Sequence, residues 1–177
     1  MGMVRGLTAA VEAADAAVQG TGVRELLQLA GDAWSETAGG TSGALWGAAL
    51  AQLGESLGSP DAFTPADVAA SVAAASARVA ELGGAAPGDK TMLDAMVPFD
   101  HALSAGVGAG TELAVALADA ASAARSGADA TSAMTPRRGR ARPLAERSLG
   151  YADPGATSFW IIADDIARAV AASDEVE

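Results

Sequence analysis

The sequence predicts an all-α fold, an antiparallel up-and-down helical barrel or bundle of about seven helices. Apolar residues recur at intervals of three and four in almost every segment, and no segment alternates between apolar and polar residues over the length of a strand. Alanine, the best helix former, dominates the chain, and its small side chain lets neighbouring helix axes approach closely. Short glycine-rich turns between the periodic segments favour antiparallel neighbours.

The periodic segments define the elements in chain order. They cover residues 4–19, 23–37, 44–57, 65–82, 91–104, 111–125 and 154–172. The fourth has the plainest start signal, because Thr64 suits the N-cap, Pro65 the first helical position and Asp67 the first turn. The third, the fifth and the last follow turns that contain glycine or proline, and those turns are the more informative part of the chain.

Composition favours a single domain and argues against several classes of protein. The mean hydropathy is +0.24, yet the uncharged run 37–54 is interrupted by GGTSG, and no segment offers the ~20 consecutive apolar residues of a membrane span. The start of the chain has no signal-peptide pattern, and the chain has no cysteine, which fits a cytoplasmic protein. A net charge of −11 argues against a nucleic-acid-binding surface.

Three helix starts carry glycines and short polar side chains that suit phosphate binding. AGGTSGALWG introduces the third helix, GGAAPGDKTM the fifth and YADPGATS the last. Each would supply free backbone N–H groups at the positive end of a helix dipole. Ordinary capping is the commoner explanation for each one taken alone, and Asp153 followed by Pro154 is an ordinary helix start.

Other charged residues have competing interpretations. The basic run PRRGRARP is either an exposed loop or a clamp for an anion. Lys90 is most simply a solvated charge. Asp100 precedes His101, the only histidine, but adjacent residues on a helix point in different directions, so a Ser-His-Asp triad is not expected.

Taken together, the motifs resemble one family. In order, GGTSGALWG, PGDKTMLDAMVPF, RRGRA, ERSLGYADPGATS and the closing apolar helix are similar to the L subunit of dihydroxyacetone kinase, the nucleotide-binding half of that enzyme. The resemblance runs from Gly2 to about Ala172. It implies one nucleotide-binding domain over residues 1–177 and a barrel of eight amphipathic helices with the nucleotide at one end, one helix more than the periodicity predicts.

The resemblance also implies a set of nucleotide-binding residues. Thr41 and Ser42 match phosphate contacts, and Gly83 and Met92 fall where the family lines the adenine and ribose pocket. Arg140 matches a nucleotide-contacting arginine. The last nucleotide-binding turn of the family corresponds to Asp153, Pro154 and Gly155, with Arg147 and Tyr151 as support. No residue of this chain is expected to act as a covalent catalyst.

Magnesium is implied by the resemblance, but its ligands are not expected within this chain. The family holds two Mg²⁺ ions with a loop of pattern Gly-Asp-x-Asp-His-Gly and a further aspartate, which come immediately before the segment that Gly2 resembles. Asp89, Asp94 and Asp153 are not expected to replace them, because the family uses those positions differently. We therefore expect either a gene start further upstream or an N-terminally truncated subunit that is inactive as given.

The implied function is phosphoryl transfer from bound ATP to dihydroxyacetone or another short ketose. In the family a separate K subunit holds the ketose. The phosphoryl donor is free ATP in fused enzymes, whereas in split bacterial systems an M subunit of the phosphotransferase system rephosphorylates bound ADP. The M subunit is the donor favoured here. A transcription regulator is a further possible partner, whereas nucleic acid and membrane are not. The alternatives are a metal-deficient binding or regulatory subunit and a helical bundle whose glycine turns are only turns.

Overall fold

The computed structural model describes residues 2–58, 62–137 and 148–174. Every regular element in those ranges is helical, which confirms the all-α prediction. The α-helices are α1 Gly2–Asp15, α2 Val23–Ala38, α3 Gly40–Leu57, α4 Pro65–Gly83, α5 Leu93–Gly108, α6 Leu113–Ala130 and α7 Pro154–Asp174, and a short 3₁₀ turn, Thr131–Ala133, follows α6. Within these ranges none of the helices is long and apolar enough to cross a membrane.

The predicted boundary of α3 is wrong in a way that affects the candidate site. The glycine-rich stretch was expected to precede the helix, but α3 begins at Gly40, so Thr41 and Ser42 lie in its first turn. Only Gly39 separates α2 from α3, and its φ of 64° belongs to the left-handed region that favours glycine. A further glycine, Gly43, lies inside the helix. It allows close packing on α2, because a Cβ on Gly43 would lie only 3.2 Å from the Cβ of Ala38.

The chain forms two compact units, and the first, Met1–Gly84, contains α1 to α4. Each helix packs against the next one in sequence. Helices α2 and α3 run antiparallel, since Gly31 meets Gly47 while the carbonyl of Arg24 meets Gly54. The indole rings of Trp34 and Trp46 stack between these helices with centroids 4.9 Å apart. Small residues thus allow close backbone contact beside one large aromatic pair.

The second unit, Ala85–Glu177, contains α5, α6 and α7. Helix α6 packs against both of the other helices. Its inward face is almost entirely alanine, with Ala116, Ala120 and Ala124 completely buried. Phe99 of α5 and Phe159 of α7 meet edge to face at 5.5 Å between centroids. The core of this unit therefore combines thin alanine interfaces with the aromatic contact of Phe99 and Phe159.

The predicted start of α4 is confirmed. Thr64 and Asp67 form a capping box in which each side chain accepts a hydrogen bond from the backbone N–H of the other, and Pro65 is the first helical residue. The hydroxyl and the backbone N–H of Thr64 lower the pKa of the Asp67 carboxyl. This turn has a complete structural explanation and carries no sign of a ligand site.

Candidate functional site

The start of α3 is the most open of the three glycine-containing helix starts. Thr41 and Ser42 are exposed, and the N-cap position is Gly39, which has no side chain to accept a hydrogen bond from the first turn. In the described part of the chain no side chain caps this helix. The first turn of α3 therefore combines exposed hydroxyls, a glycine entry and the positive end of a helix dipole, which is the chemistry that phosphate oxygens require.

The turn before α5 is closed by its own side chains. The carboxylate of Asp94 accepts hydrogen bonds from the backbone N–H groups of Gly88 and Thr91, at 2.5 and 2.8 Å. The hydroxyl of Thr91 accepts a third from the N–H of Leu93. Asp94 is 5% exposed, so the carboxylate is committed to this turn. The glycines of GGAAPGDKTM therefore serve the local fold rather than presenting free donors to an anion.

The interpretation of Lys90 as a solvated charge is wrong. Lys90 is 4% exposed, and its backbone φ of 61° makes it the one non-glycine residue with positive φ in the described ranges. Its ammonium donates to the carbonyl oxygens of Met134 at 3.1 Å and Ser148 at 2.6 Å. The sequence gives no local signal for this burial, because both partners lie more than forty positions further along the chain.

Asp153 caps α7. Its carboxylate accepts a hydrogen bond of 2.9 Å from the N–H of Ala156, and its own N–H donates to the hydroxyl of Thr131 at 2.7 Å. Pro154 has no N–H to offer. The first turn of α7 is thus largely satisfied from within, and the expectation that it presents free N–H groups to a ligand is not met. Its ordinary interpretation as a helix cap is correct.

The Asp153 carboxyl has a perturbed pKa. Burial raises the pKa above the ordinary value, and the negative charge of Asp94 acts in the same direction. Hydrogen bonds from the N–H groups of Ala156 and Gly155 and the charge of Lys90 act in the opposite direction without overcoming burial. Ionising this carboxyl group therefore costs more free energy in the folded chain than in the unfolded chain.

Replacing Asp153 with asparagine tests this electrostatic account. The pKa of this carboxyl is higher in the folded chain than its unfolded value of about 3.8. Its contribution to the free energy of unfolding is therefore largest below pH 3.8 and is lost as the pH rises through the folded pKa. Asparagine keeps an oxygen for the N–H of Ala156 and cannot ionise. We expect Asp153→Asn to have the higher free energy of unfolding at pH 7, with the advantage shrinking towards pH 4 in urea titrations.

The matched control is Asp67→Asn. Thr64 lowers the pKa of Asp67, so that carboxylate stabilises the fold above its unfolded pKa and loses this contribution as the pH falls. Asp67→Asn should therefore lower the free energy of unfolding at pH 7, whereas Asp153→Asn should raise it. Parallel pH profiles for wild type and Asp153→Asn would contradict the burial of a costly charge.

The residues implied by the family resemblance divide between the two units. Thr41, Ser42 and Gly83 belong to the first unit, with Gly83 as the last residue of α4. The second unit brings Met92, Asp153, Pro154 and Gly155 together. A Cβ on Gly155 would stand 3.3 Å from the Cβ of Met92 and 3.0 Å from a carboxylate oxygen of Asp153, so the turn packs tightly on a methionine that is 6% exposed. Arg140 and Arg147 lie outside the described residues.

The remaining sequence candidates form no catalytic group in the described structure. His101 is exposed, and the carboxylate of Asp100 accepts a hydrogen bond from Ser104 instead. In residues 2–58, 62–137 and 148–174 no three acidic or histidine side chains gather as metal ligands. The described residues therefore do not fit a Mg²⁺ site by themselves.

The fold and the site define an all-helical domain with a glycine-led, uncapped helix start suited to an anion. The chain belongs to the DAK2 domain family, which it matches over residues 1–168, and it is a DhaL-type domain. The resemblance to the L subunit is confirmed.

Its relatives are kinases. The D-erythrulose kinase of Mycolicibacterium smegmatis is 48% identical over 99% of this chain and 30% of that enzyme. The ADP-binding subunit DhaL of the PEP-dependent dihydroxyacetone kinase of Escherichia coli is 32% identical over 96% of this chain and 80% of the subunit. The crystal structure of the dihydroxyacetone kinase from C. freundii in complex with AMP-PNP and Mg²⁺ matches with a TM-score of 0.60 at 26% identity, over 84% of this chain and 23% of that chain. This chain thus spans less than a third of the erythrulose kinase and most of the DhaL subunit.

Proposed function

We propose that this domain is the nucleotide-binding part of a kinase that phosphorylates a short ketose, either dihydroxyacetone or erythrulose. The observation that carries the proposal is the first turn of α3, where exposed Thr41 and Ser42 follow a glycine N-cap. Helices α4 and α7 have aspartates at their starts whose carboxylates accept backbone N–H groups, and Asp94 closes the turn before α5. Of the three glycine-containing starts, that of α3 is the one where no described side chain caps the helix or closes the turn, so its backbone donors and hydroxyls are accessible to a phosphate.

Within the second unit, the turn at Asp153 to Gly155 is proposed as a nucleotide-contacting wall, which is the role that the family resemblance implies for it. This turn is held rigidly, because the N–H and the carboxylate of Asp153 both form hydrogen bonds and Gly155 packs against Met92. Glycine at position 155 allows this close packing, because a Cβ there would stand 3.3 Å from the Cβ of Met92. A wall of this kind contributes by orientation, because phosphoryl transfer depends mainly on positioning and charge stabilisation.

The transfer itself needs partners. Under the proposal a K subunit or K domain holds the ketose, and the residues of this chain bind and orient the nucleotide. The chain carries a net charge of −11, so bringing several phosphate charges close to it requires cations. When bound, Mg²⁺ would neutralise charge on the phosphates. Arg140, which the family resemblance places at the nucleotide, is the cation that this chain itself is proposed to contribute.

Calorimetric titration with ADP, ATP and adenosine tests nucleotide binding. We expect ADP and ATP to bind more tightly than adenosine, because the proposed contacts at α3 and Arg140 are to phosphate. Arg140→Ala should weaken ADP binding at least about tenfold, since a hydrogen bond to a charged group is typically worth ~1.5 to 3 kcal/mol. Adenosine binding should be unchanged by the same substitution.

Arg137→Ala is the matched control. It removes one positive charge from the same basic run, but the described contact of Arg137 is a backbone one, from its N–H to the carbonyl of Asp89 at 3.1 Å. The control should therefore lose much less affinity than Arg140→Ala at the same ionic strength. Equal losses would show that only net charge matters, and no ADP binding by the wild type would remove the proposal. Phosphorylation of dihydroxyacetone and of D-erythrulose, assayed with a K subunit added, then distinguishes the ketoses.

A further inference from the structure

Lys90 is the only lysine of the chain, and it is buried. An ammonium group loses much of its hydration when it is buried, so it is retained only where partners replace the water. Here the partners are two backbone carbonyls, of Met134 and Ser148, which lie on either side of the basic run in sequence. A single Nζ atom thus holds together two points of the chain that are 14 residues apart, and the nucleotide proposal assigns it no contact.

The backbone around Lys90 is held in place as firmly as its side chain. Its left-handed φ of 61° is unfavourable for any residue with a Cβ. Asp94 holds this conformation by accepting the N–H groups of Gly88 and Thr91, one on each side of Lys90 along the chain. The direction of the lysine side chain therefore follows from the fold of the turn before α5 and not from a free rotamer choice.

The segment that Lys90 holds leads directly into α7. Three hydrogen bonds fix residues 148–153: the carbonyl of Ser148 accepts from Lys90, the N–H of Gly150 donates to the carbonyl of Ser132, and the N–H of Asp153 donates to Thr131. The last two attach the segment to the 3₁₀ turn after α6. Lys90 supplies the attachment to the start of α5.

We infer that Lys90 is a positioning residue for nucleotide binding: by joining the carbonyls of Met134 and Ser148, its ammonium fixes the segment that ends in the Asp153 to Gly155 turn without itself touching the nucleotide. The inference rests on the proposed function, because it assigns that turn to the nucleotide site. It goes beyond that function in giving a residue outside the predicted set a defined task. The positive charge also acts on Asp153 directly, since it lowers the pKa of that carboxyl against the effect of burial.

The first test uses the wild-type chain. Because it has one lysine, acetylation by an N-hydroxysuccinimide ester reports on the exposure of Lys90 alone, with the α-amino group of the same chain as internal reference. If release of Lys90 weakens nucleotide binding, then by reciprocity bound ADP must hold Lys90 in place. We expect ADP to slow acetylation of Lys90 about tenfold and then to reach a plateau. Protection that keeps growing with ADP concentration would instead report global unfolding and would overturn the inference.

The second test removes the ammonium. Lys90→Met keeps the length and apolar stem of the side chain and loses its donors, and Lys90→Arg keeps charge and donors. We expect Lys90→Met to bind ADP about tenfold more weakly, matching the plateau in the acetylation experiment, and Lys90→Arg to recover most of the affinity. Thr131→Val, which releases the N–H of Asp153, should couple to Lys90→Met in a double-mutant cycle because both anchor one segment.

The outcomes separate the two proposals. Wild-type affinity in Lys90→Met, or strict additivity with Thr131→Val, overturns the positioning role and leaves the nucleotide proposal standing. If circular dichroism shows that Lys90→Met has lost its fold, its weaker binding says nothing about positioning. In that case the acetylation plateau of the wild-type chain, which needs no substitution, decides whether Lys90 has the positioning role. If wild type binds neither ADP nor ATP, the proposed function fails, and the inference fails with it.

Discussion

Gly127→Ala is expected to lower the free energy of unfolding by about 2 to 3 kcal/mol, although alanine is the better helix former. A Cβ at this position of α6 would overlap the backbone carbonyl oxygen of Asp94 in α5 and would lie 3.2 Å from Cγ of Pro98. A backbone carbonyl inside a helix cannot rotate away, so the two helices would have to separate. The cost of overpacking therefore exceeds the gain of about 1 kcal/mol in helix propensity.

Proline explains why the contact lies at that point. Pro98 is inside α5 and has no N–H to donate to the carbonyl four residues earlier, which is that of Asp94. The freed carbonyl faces Gly127, where a Cα–H group can approach closely. Since the side chain of Asp94 also closes the turn around Lys90, the substitution should disturb the site as well as the fold. Urea unfolding followed by far-ultraviolet circular dichroism measures the loss.

Gly108→Ala is the control for the same chemical change. Gly108 ends α5 and has no atom within 4 Å of a built Cβ. We expect it to be neutral or to stabilise the chain by up to about 1 kcal/mol, through lower entropy of the unfolded state. If Gly127→Ala matched Gly108→Ala, the close approach of α6 to α5 would be refuted.

Gly47→Ala should lower the free energy of unfolding by about 2 kcal/mol through the other unit. Its Cβ would stand 2.6 Å from the carbonyl oxygen of Gly31 and 2.9 Å from the Cβ of Ser35. The reciprocal Cβ on Gly31 would stand 2.7 Å from the carbonyl oxygen of Gly47. Because one shift of α2 from α3 relieves both clashes, the double substitution should cost less than the sum of the two single ones.

Tryptophan fluorescence gives a local measurement for this prediction. Trp34 and Trp46 stack between α2 and α3, so a wider helix spacing should change their emission before the chain unfolds. An unchanged spectrum together with unchanged stability would mean that the interface absorbs a methyl group. Additive costs for Gly31→Ala and Gly47→Ala would argue against a single shared contact.

In residues 2–58, 62–137 and 148–174, the order and approximate limits of the helices could be predicted from local pattern. Apolar spacing and capping residues act within one or two turns, and the start of α4 shows this most clearly, since Thr64, Pro65 and Asp67 are sufficient for it. Local pattern misplaces the start of α3, because glycine is a poor helix former and its run at 39–43 predicts a turn. Gly43 and Gly47 lie inside α3, and glycine is needed at both positions because α2 leaves little room for a Cβ; that information lies in another helix.

Lys90 shows the limit of local pattern most sharply. A single lysine in a Gly-Asp-Lys-Thr turn has the signature of a solvated residue, and its chemistry alone predicts exposure. Its burial depends on carbonyls at positions 134 and 148, and its left-handed backbone on the carboxylate of Asp94. Residues so far apart leave no periodic trace in sequence.

The sequence by itself determined the helical class and the order of the elements, and it located the three glycine-containing turns, since these depend on residue type and short-range spacing. The tertiary structure decided which helix starts remain open. Asp94 and Asp153 satisfy the turns before α5 and α7, whereas the start of α3 is left uncapped. The physical reason is that a backbone N–H is available to a ligand only if no nearby acceptor has taken it, and the acceptors are placed by packing.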